Sequence, residues 1–218
     1  IRDPIIWIAV PTAFEMLPWI SATKLIYQRT DKYEEYNAGS SALIEQYDRA
    51  LKRRANVTIF CSHYLMEQER AGCSQATFVD HGVDFDVFST AGNLRENMPD
   101  DVRTITGPKV GFIGGVDDHT FDRNLFLDVA SRLPELSFII VGKISFEEGW
   151  CELPNVFMLG QKPYTQVSSY MSACDVLIMP WVQNEWIRAC NPVKLKEYLS
   201  VARPVVTTNF AELKYYPG

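Results

Sequence analysis

The chain has 218 residues, enough for one large domain or two small ones, and its 47% apolar and 22% charged content is that of an ordinary globular protein. A net charge of −6 with no basic block argues against a nucleic-acid partner. The five cysteines (Cys61, Cys73, Cys151, Cys174, Cys190) form an odd set without C-x-x-C spacing, which favours reduced thiols in a cytoplasmic protein over a disulfide framework or a zinc site.

The first residues are apolar, but Arg2, Asp3, Pro4, Pro11, Glu15, Pro18 and Lys24 interrupt them, leaving no run near the ~20 residues of a spanning helix. The charged n-region and cleavage site of a signal peptide are also missing. The chain does not start with Met and stops soon after an apolar strand, so it reads as incomplete at both ends.

Residues 5–10 form a continuous apolar run, expected to be a buried strand. A short helix over 13–19 and a second strand over 24–27 follow. Arg29-Thr30-Asp31 comes directly after that strand, where both a simple turn and a catalytic Asp31 fit. Apolar positions 43, 44, 47 and 51 give residues 41–55 a helical stripe, and 57–61 is the next strand. Ser62 is placed to cap a helix that runs to about 71 and stops at Gly72, with a short strand over 76–79 behind it. Residues 84–107 are polar and weakly periodic and read as a linker with one short helical turn. They begin with Asp84-Phe85-Asp86, the D-x-D form of metal-dependent sugar transferases, but no further carboxylate or His is spaced to complete a metal site.

A second series follows: strand 109–113, helix 121–133, strands 136–141 and 156–159, helix 165–173, strand 175–179, helix 191–203 and strand 205–208. Gly111-Phe112-Ile113-Gly114-Gly115 ends the first of these strands, and paired glycines there suit a phosphate loop as well as an ordinary turn. Asp117-Asp118-His119 reads as a solvated loop. Gln161 to Tyr164 follows another strand, where Tyr164 either stacks on a nucleobase or packs as a helix-start aromatic. His63, His81 and His119 lie in separate segments, and there is no G-x-S-x-G elbow, so triad hydrolysis has no support.

The richest stretch is 191–206, NPVKLKEYLSVARPVV. Asn191 is placed as N-cap and Pro192 as first helical residue. Lys194 and Glu197, three apart, share a face, as in any solvated pair. A cation in the first turn also suits a diphosphate, and a carboxylate one turn on suits a vicinal diol. The alternation of strands and helices predicts an α/β protein with two Rossmann-like parallel sheets, residues 1–88 and 108–218, joined by a linker over 89–107. Open sheets of this kind bind ligands at the carboxyl ends of their strands.

Three stretches together resemble the GT-B glycosyltransferases, specifically glycosyltransferase family 4 (glycosyl transferases group 1). They are ANVTIFCSHYL with VDHGVDFDVF, KVGFIGGVDD, and NVFMLGQKPYTQVSSYMSACDVLIMP running on to NEWIRACNPVKLKEYLSVARPVVTT. The resemblance implies the C-terminal part of an acceptor-side domain over 1–88 and a truncated donor-nucleotide domain over 108–218. It implies a ribose-binding role for Glu197 and a helix start at Asn191 that faces the diphosphate. Arg188 and Lys194 would neutralise the leaving phosphate, Gly114 and Gly115 would lie beneath the phosphates, and Gln161 and Tyr164 would face the base. The family's usual Glu-x7-Glu would place its first acid at 189, where this chain has Ala189; Glu185 lies one turn earlier. The catalytic His-Asp element is represented by Thr30-Asp31.

The implied activity is transfer of a sugar from a UDP- or GDP-sugar to an acceptor hydroxyl, with retention and without a metal ion, in the synthesis of a polysaccharide, glycan or glycolipid. The implied partners are the nucleotide sugar and a glycan or lipid-linked acceptor, and the implied place is the cytoplasm, with peripheral contact at the inner membrane face. Two alternatives share the sequence features: a sugar-nucleotide epimerase of the same fold, and a non-catalytic nucleotide-binding domain.

Overall fold

The computed structural model describes residues 4–21, 23–36, 40–93 and 98–216. By packing, the chain divides into two compact units. Unit 1 comprises residues 1–81, 183–191 and 209–218, and unit 2 comprises residues 82–182 and 192–208. The sequence reading drew one continuous boundary near 88–108. The described structure differs because residues 183–191 and 209–216 pack with the first unit, and because the expected linker carries helical residues 89–93 and 100–103, which pack in the second.

Unit 1 is built on a four-stranded sheet in the order β1-β2-β3-β4: β1 (Ile5–Ile8), β2 (Lys24–Arg29), β3 (Val57–Phe60) and β4 (Ala76–Phe78), all parallel. The expected helix at 13–19 is a 3-10 helix over Pro11–Trp19, consistent with the prolines at both its ends. Helix α1 (Ser41–Arg54) buries Leu51 against Ile8, Leu25 and Tyr27, while Leu43, placed on the same stripe by the sequence, is exposed. Helix α2 (His63–Glu69) is capped by Ser62 as expected, its Oγ accepting from the Leu65 N–H at 3.3 Å.

Beneath these helices lies a charged knot. The Arg29 guanidinium, wholly buried, meets Glu34 at 2.8 Å, Asp48 at 3.2 Å and Glu69 at 3.2 Å. Lys52 bonds Asp48 at 2.5 Å and Glu69 at 2.8 Å, and the Tyr27 hydroxyl donates to Asp48 at 2.7 Å. Buried charges are tolerable when they are matched and hydrogen-bonded; here three carboxylates answer Arg29 through Nε and Nη2, while its buried Nη1 makes no hydrogen bond. Because Arg29 ends β2 and Glu34 lies four residues past Thr30, the knot also pins the loop that carries Asp31.

Unit 2 is a five-stranded parallel sheet in the order β7-β6-β5-β8-β9. Its strands are β5 (Lys109–Ile113), β6 (Ser137–Val141), β7 (Val156–Met158), β8 (Val176–Met179) and β9 (Val205–Thr207). Counted from β5 the order is 3-2-1-4-5, so chain direction across the sheet reverses between β5 and β8, the switch point where such sheets bind ligands. Helices α3 (Phe85–Asn93) and α4 (Asp100–Arg103) replace the expected linker. Phe88 of α3 is 1% exposed, which explains why this polar-looking stretch orders. Asp84 of the D-x-D sequence accepts from the Val87 N–H at 3.3 Å, so it acts as a helix-start acceptor. Helix α5 (Arg123–Arg132) is capped by Asp122 and sends Phe126 and Ala130 into a core of Phe112, Phe121, Phe138, Ile140 and Trp150. Helix α6 is Tyr164–Ser172.

The helix expected over 191–203 is present but shorter, and a separate short helix precedes it. A five-residue helix, α7 (Glu185–Ala189), belongs to unit 1, and α8 (Val193–Ser200) belongs to unit 2. Pro192, not Asn191, is the N-cap of α8. The Asn191 side chain instead donates to the Cys61 carbonyl at 2.6 Å and to Asp80 at 2.8 Å within unit 1.

Candidate functional site

The carboxyl ends of β5, β6 and β7 each continue into a glycine: Gly114, Gly142 and Gly160. The Gly114 N–H donates to the Val141 carbonyl at 2.8 Å and the Gly142 N–H to the Gly160 carbonyl at 3.0 Å, joining the three strand ends into a floor without side chains. Gly142 is required by close approach, since a Cβ there would overlap the Gly114 carbonyl.

Helix α8 stands beside this floor. The Tyr198 hydroxyl accepts from the Ile113 N–H at 2.8 Å and donates to the Ile113 carbonyl at 3.3 Å, fixing α8 to the end of β5. Burial pushes the Tyr198 hydroxyl's pKa far above its usual value, so it stays a neutral donor and acceptor. Lys194, one turn earlier, therefore lies over the glycine loop: its ammonium is 4.2 Å from the Phe112 ring centroid and occupies the space a Cβ on Gly114 would need. Glu197 accepts a hydrogen bond from the Tyr164 hydroxyl at 2.8 Å, and that bond pushes the tyrosine up to about 12.

These groups line one cleft of about 300 Å³ with Gly114, Gly115, Gln161 and Tyr164 among its walls. Lys143, Lys162 and Lys194 line it against the single carboxylate of Glu197, a bias toward anions in a chain of net charge −6. Lys162 is held by Asp101 at 2.7 Å, which anchors the loop ahead of α6. Six of the residues named from sequence thus meet within unit 2. Sequence reasoning passed over Gly142 and Tyr198. Gly142 repeats after β6 the strand-then-glycine pattern of Gly114, and Tyr198 lies four residues past Lys194 on the helix.

The other four lie in unit 1. Asp31 follows β2 and is partly buried; that burial raises its carboxyl pKa, against the opposing charge of His81 and a hydrogen bond from Thr30. Glu185 bonds Lys32 at 3.3 Å and Arg188 at 3.2 Å, and Asn191 is engaged as described above. Ala189, where an acid would complete the Glu-x7-Glu pattern, is fully buried with Phe60 and Leu65, so a carboxylate there would enter an apolar cluster. Among the described residues no group of three or more His, Cys, Asp or Glu side chains could hold a metal ion. No helix among them is long and apolar enough to cross a membrane.

The family model described as glycosyl transferases group 1 matches residues 107–216. TuaH of Bacillus subtilis (strain 168), assigned to teichuronic acid biosynthesis as a glycosyltransferase, is 30% identical over 227 residues. That match covers 94% of this chain and 55% of TuaH, so the chain spans about half the length of this relative. Among solved structures, Anabaena HepE in complex with UDP-glucose superposes with TM-score 0.75 at 16% identity, covering 98% of this chain and 62% of HepE. Sucrose-phosphate synthase from Thermosynechococcus elongatus superposes with TM-score 0.70 at 15% identity, covering 97% and 57%. At such identities the two structures support the shared two-sheet α/β fold.

Proposed function

The chain belongs to the glycosyl transferases group 1 family, and on that premise we propose that it takes part in transfer of a sugar from a nucleoside diphosphate to an acceptor hydroxyl. The observation that carries this reading is the position of Lys194 over the Gly114 loop, with Glu197 one turn further along the same helix.

In this reading the diphosphate lies on the glycine floor, its charge answered by Lys194. At ~4 Å and an effective dielectric near 20, such a contact is worth roughly 4 kcal/mol, and it grows in importance as the leaving diphosphate gains charge. Glu197 accepts from the ribose hydroxyls, which take over the bond now made by Tyr164, and the Gln161–Tyr164 side faces the base. Charge stabilisation by lysine makes a divalent cation unnecessary. Asp31 is the candidate catalytic carboxylate of unit 1. The donor is a UDP- or GDP-sugar, the anomeric outcome is retention, and the product belongs to polysaccharide synthesis in the cytoplasm, at the inner membrane face where the acceptor is lipid-linked. HepE, crystallised with UDP and with UDP-glucose, and TuaH, assigned to a polysaccharide pathway, support the donor class and product class. The epimerase and non-catalytic alternatives draw no support from these relatives.

Calorimetric titration of the chain with UDP and with GDP in the presence of EDTA tests the reading. Saturable binding of either nucleotide supports it; binding of neither overturns it.

A further inference from the structure

Unit 1 carries a larger cavity, of about 640 Å³, which the donor reading leaves unused. Its walls include Gln183, Glu185 and Arg188 on the α7 segment and Asn209, Phe210 and Lys214 on the returning segment. Glu185 is held between Lys32 at 3.3 Å and Arg188 at 3.2 Å, and its carboxyl lies below the usual range, chiefly through the Lys32 hydrogen bond. Among the residues that line the cavity, the two cations Arg188 and Lys214 outnumber the one carboxylate, Glu185. Arg188 gives a single N–H to Glu185 out of five donors, while its guanidinium lies 5.2 Å from the Tyr64 ring centroid, which fixes its plane. The Lys214 ammonium lies 4.8 Å from the Tyr215 ring centroid and 3.5 Å from Glu67; both partners of that ion pair are more than half exposed, so it yields readily to another anion.

Carboxamides facing a cavity of this size suit sugar hydroxyls, and two cations on its rim select a negative charge. We propose that this cavity binds a sugar bearing one anionic group, a carboxylate or a phosphate, with Arg188 and Lys214 on the anion and Gln183 and Asn209 on the ring hydroxyls. The proposal rests on the glycosyl-transfer reading and deepens it by naming the saccharide partner as an acidic glycan.

The test is a set of NMR titrations with methyl β-glucuronide, glucose 6-phosphate and methyl β-glucoside, with UDP titrated separately. At least one anionic sugar is expected to bind about ten-fold tighter than the neutral glucoside, a gap of ~1.4 kcal/mol, and the tighter of the two identifies the anion. Lys214→Gln should erase that gap while the protein stays folded and binds UDP as before, and Arg188→Gln should erase it as well. Equal binding of charged and neutral sugars, no sugar binding, or a gap that survives both substitutions overturns the proposal. Intact UDP binding alongside such a result confines the failure to this cavity, whereas anionic-sugar binding without UDP binding would refute the donor reading alone.

Discussion

The hydroxyl of Tyr164 donates to Glu197 Oε1 at 2.8 Å, joining the first residue of α6 to the candidate ribose acid on α8. The tyrosine ring is largely exposed, so this bond adds little to folding; in the proposed reading a ribose hydroxyl replaces it. Tyr164→Phe, which keeps the ring and frees the acid, is expected to bind UDP as well as the parent chain or a few-fold better, by roughly 0.5–1 kcal/mol. Tyr164→Ala is expected to bind about ten-fold more weakly through loss of the stacking face, on the order of 1–3 kcal/mol. Calorimetric UDP titration of the two variants checks the ordering.

The glycine floor makes a steric prediction. A Cβ on Gly142 would overlap the backbone carbonyl of Gly114, whereas a Cβ on Gly115 would meet only Asp117 Oδ2 at 3.9 Å. Gly142→Ala should therefore destabilise unit 2 by about 1–3 kcal/mol, with Gly115→Ala within about 0.5 kcal/mol of the parent. Urea denaturation followed by tryptophan fluorescence reads both, and an equally stable Gly142→Ala would show that the strand ends are not in contact.

Arg29 is buried against Glu34, Asp48 and Glu69. Arg29→Met leaves these carboxylates short of their cation and should cost roughly 3–5 kcal/mol. The exposed Arg132–Asp128 pair is the comparison, and Arg132→Met should cost under about 1 kcal/mol. The knot also gives a pH dependence. The Glu69 carboxyl is held low against its burial by the Arg29 charge, so its contribution is present above the ordinary carboxylate range and is lost as pH falls through the lowered value. Acid unfolding of a Glu69→Gln variant should begin from a lower stability and show a shallower pH slope.

Asp31 has the opposite sign. Burial raises its carboxyl, so the folded state holds the proton more tightly than the unfolded one, and unit 1 gains stability from this group as pH falls through the raised value. At neutral pH the ionised form is a cost. Asp31→Asn should raise the thermal midpoint at pH 7, with the advantage shrinking toward acid pH, and should abolish sugar transfer if Asp31 is the catalytic carboxylate. A lower midpoint at pH 7 would contradict the burial argument.

Much of the fold was legible because strands here are short apolar runs ended by turn residues. The bounds of β5 were read to the residue, and Ser62 capped α2 as its type and position suggested. The helix carrying Lys194 and Glu197 was legible from Pro192 at its start, but the role of Asn191 was not. A residue that looks like an N-cap was drawn away by Cys61 and Asp80, which lie 130 and 111 positions earlier in the chain. One short helical turn was expected in this stretch, but the nine-residue α3 escaped notice because a buried aromatic, Phe88, orders a polar segment with little periodicity. The Arg29 knot was equally hidden, since nothing local marks Asp48, Lys52 and Glu69 as neighbours of the end of β2. Gly114, Gly115, Gln161, Tyr164, Lys194 and Glu197 could be named individually, but their convergence depends on the sheet order 3-2-1-4-5.

The central claim is that Glu197 and the glycine floor form a nucleotide site, and UDP affinity of Glu197→Ala against the parent chain tests it most directly. Loss of charge-assisted bonds to the ribose, roughly 1.5–3 kcal/mol, predicts about ten- to hundred-fold weaker binding with the thermal midpoint little changed. A folded Glu197→Ala protein that binds UDP as tightly as the parent would contradict the account.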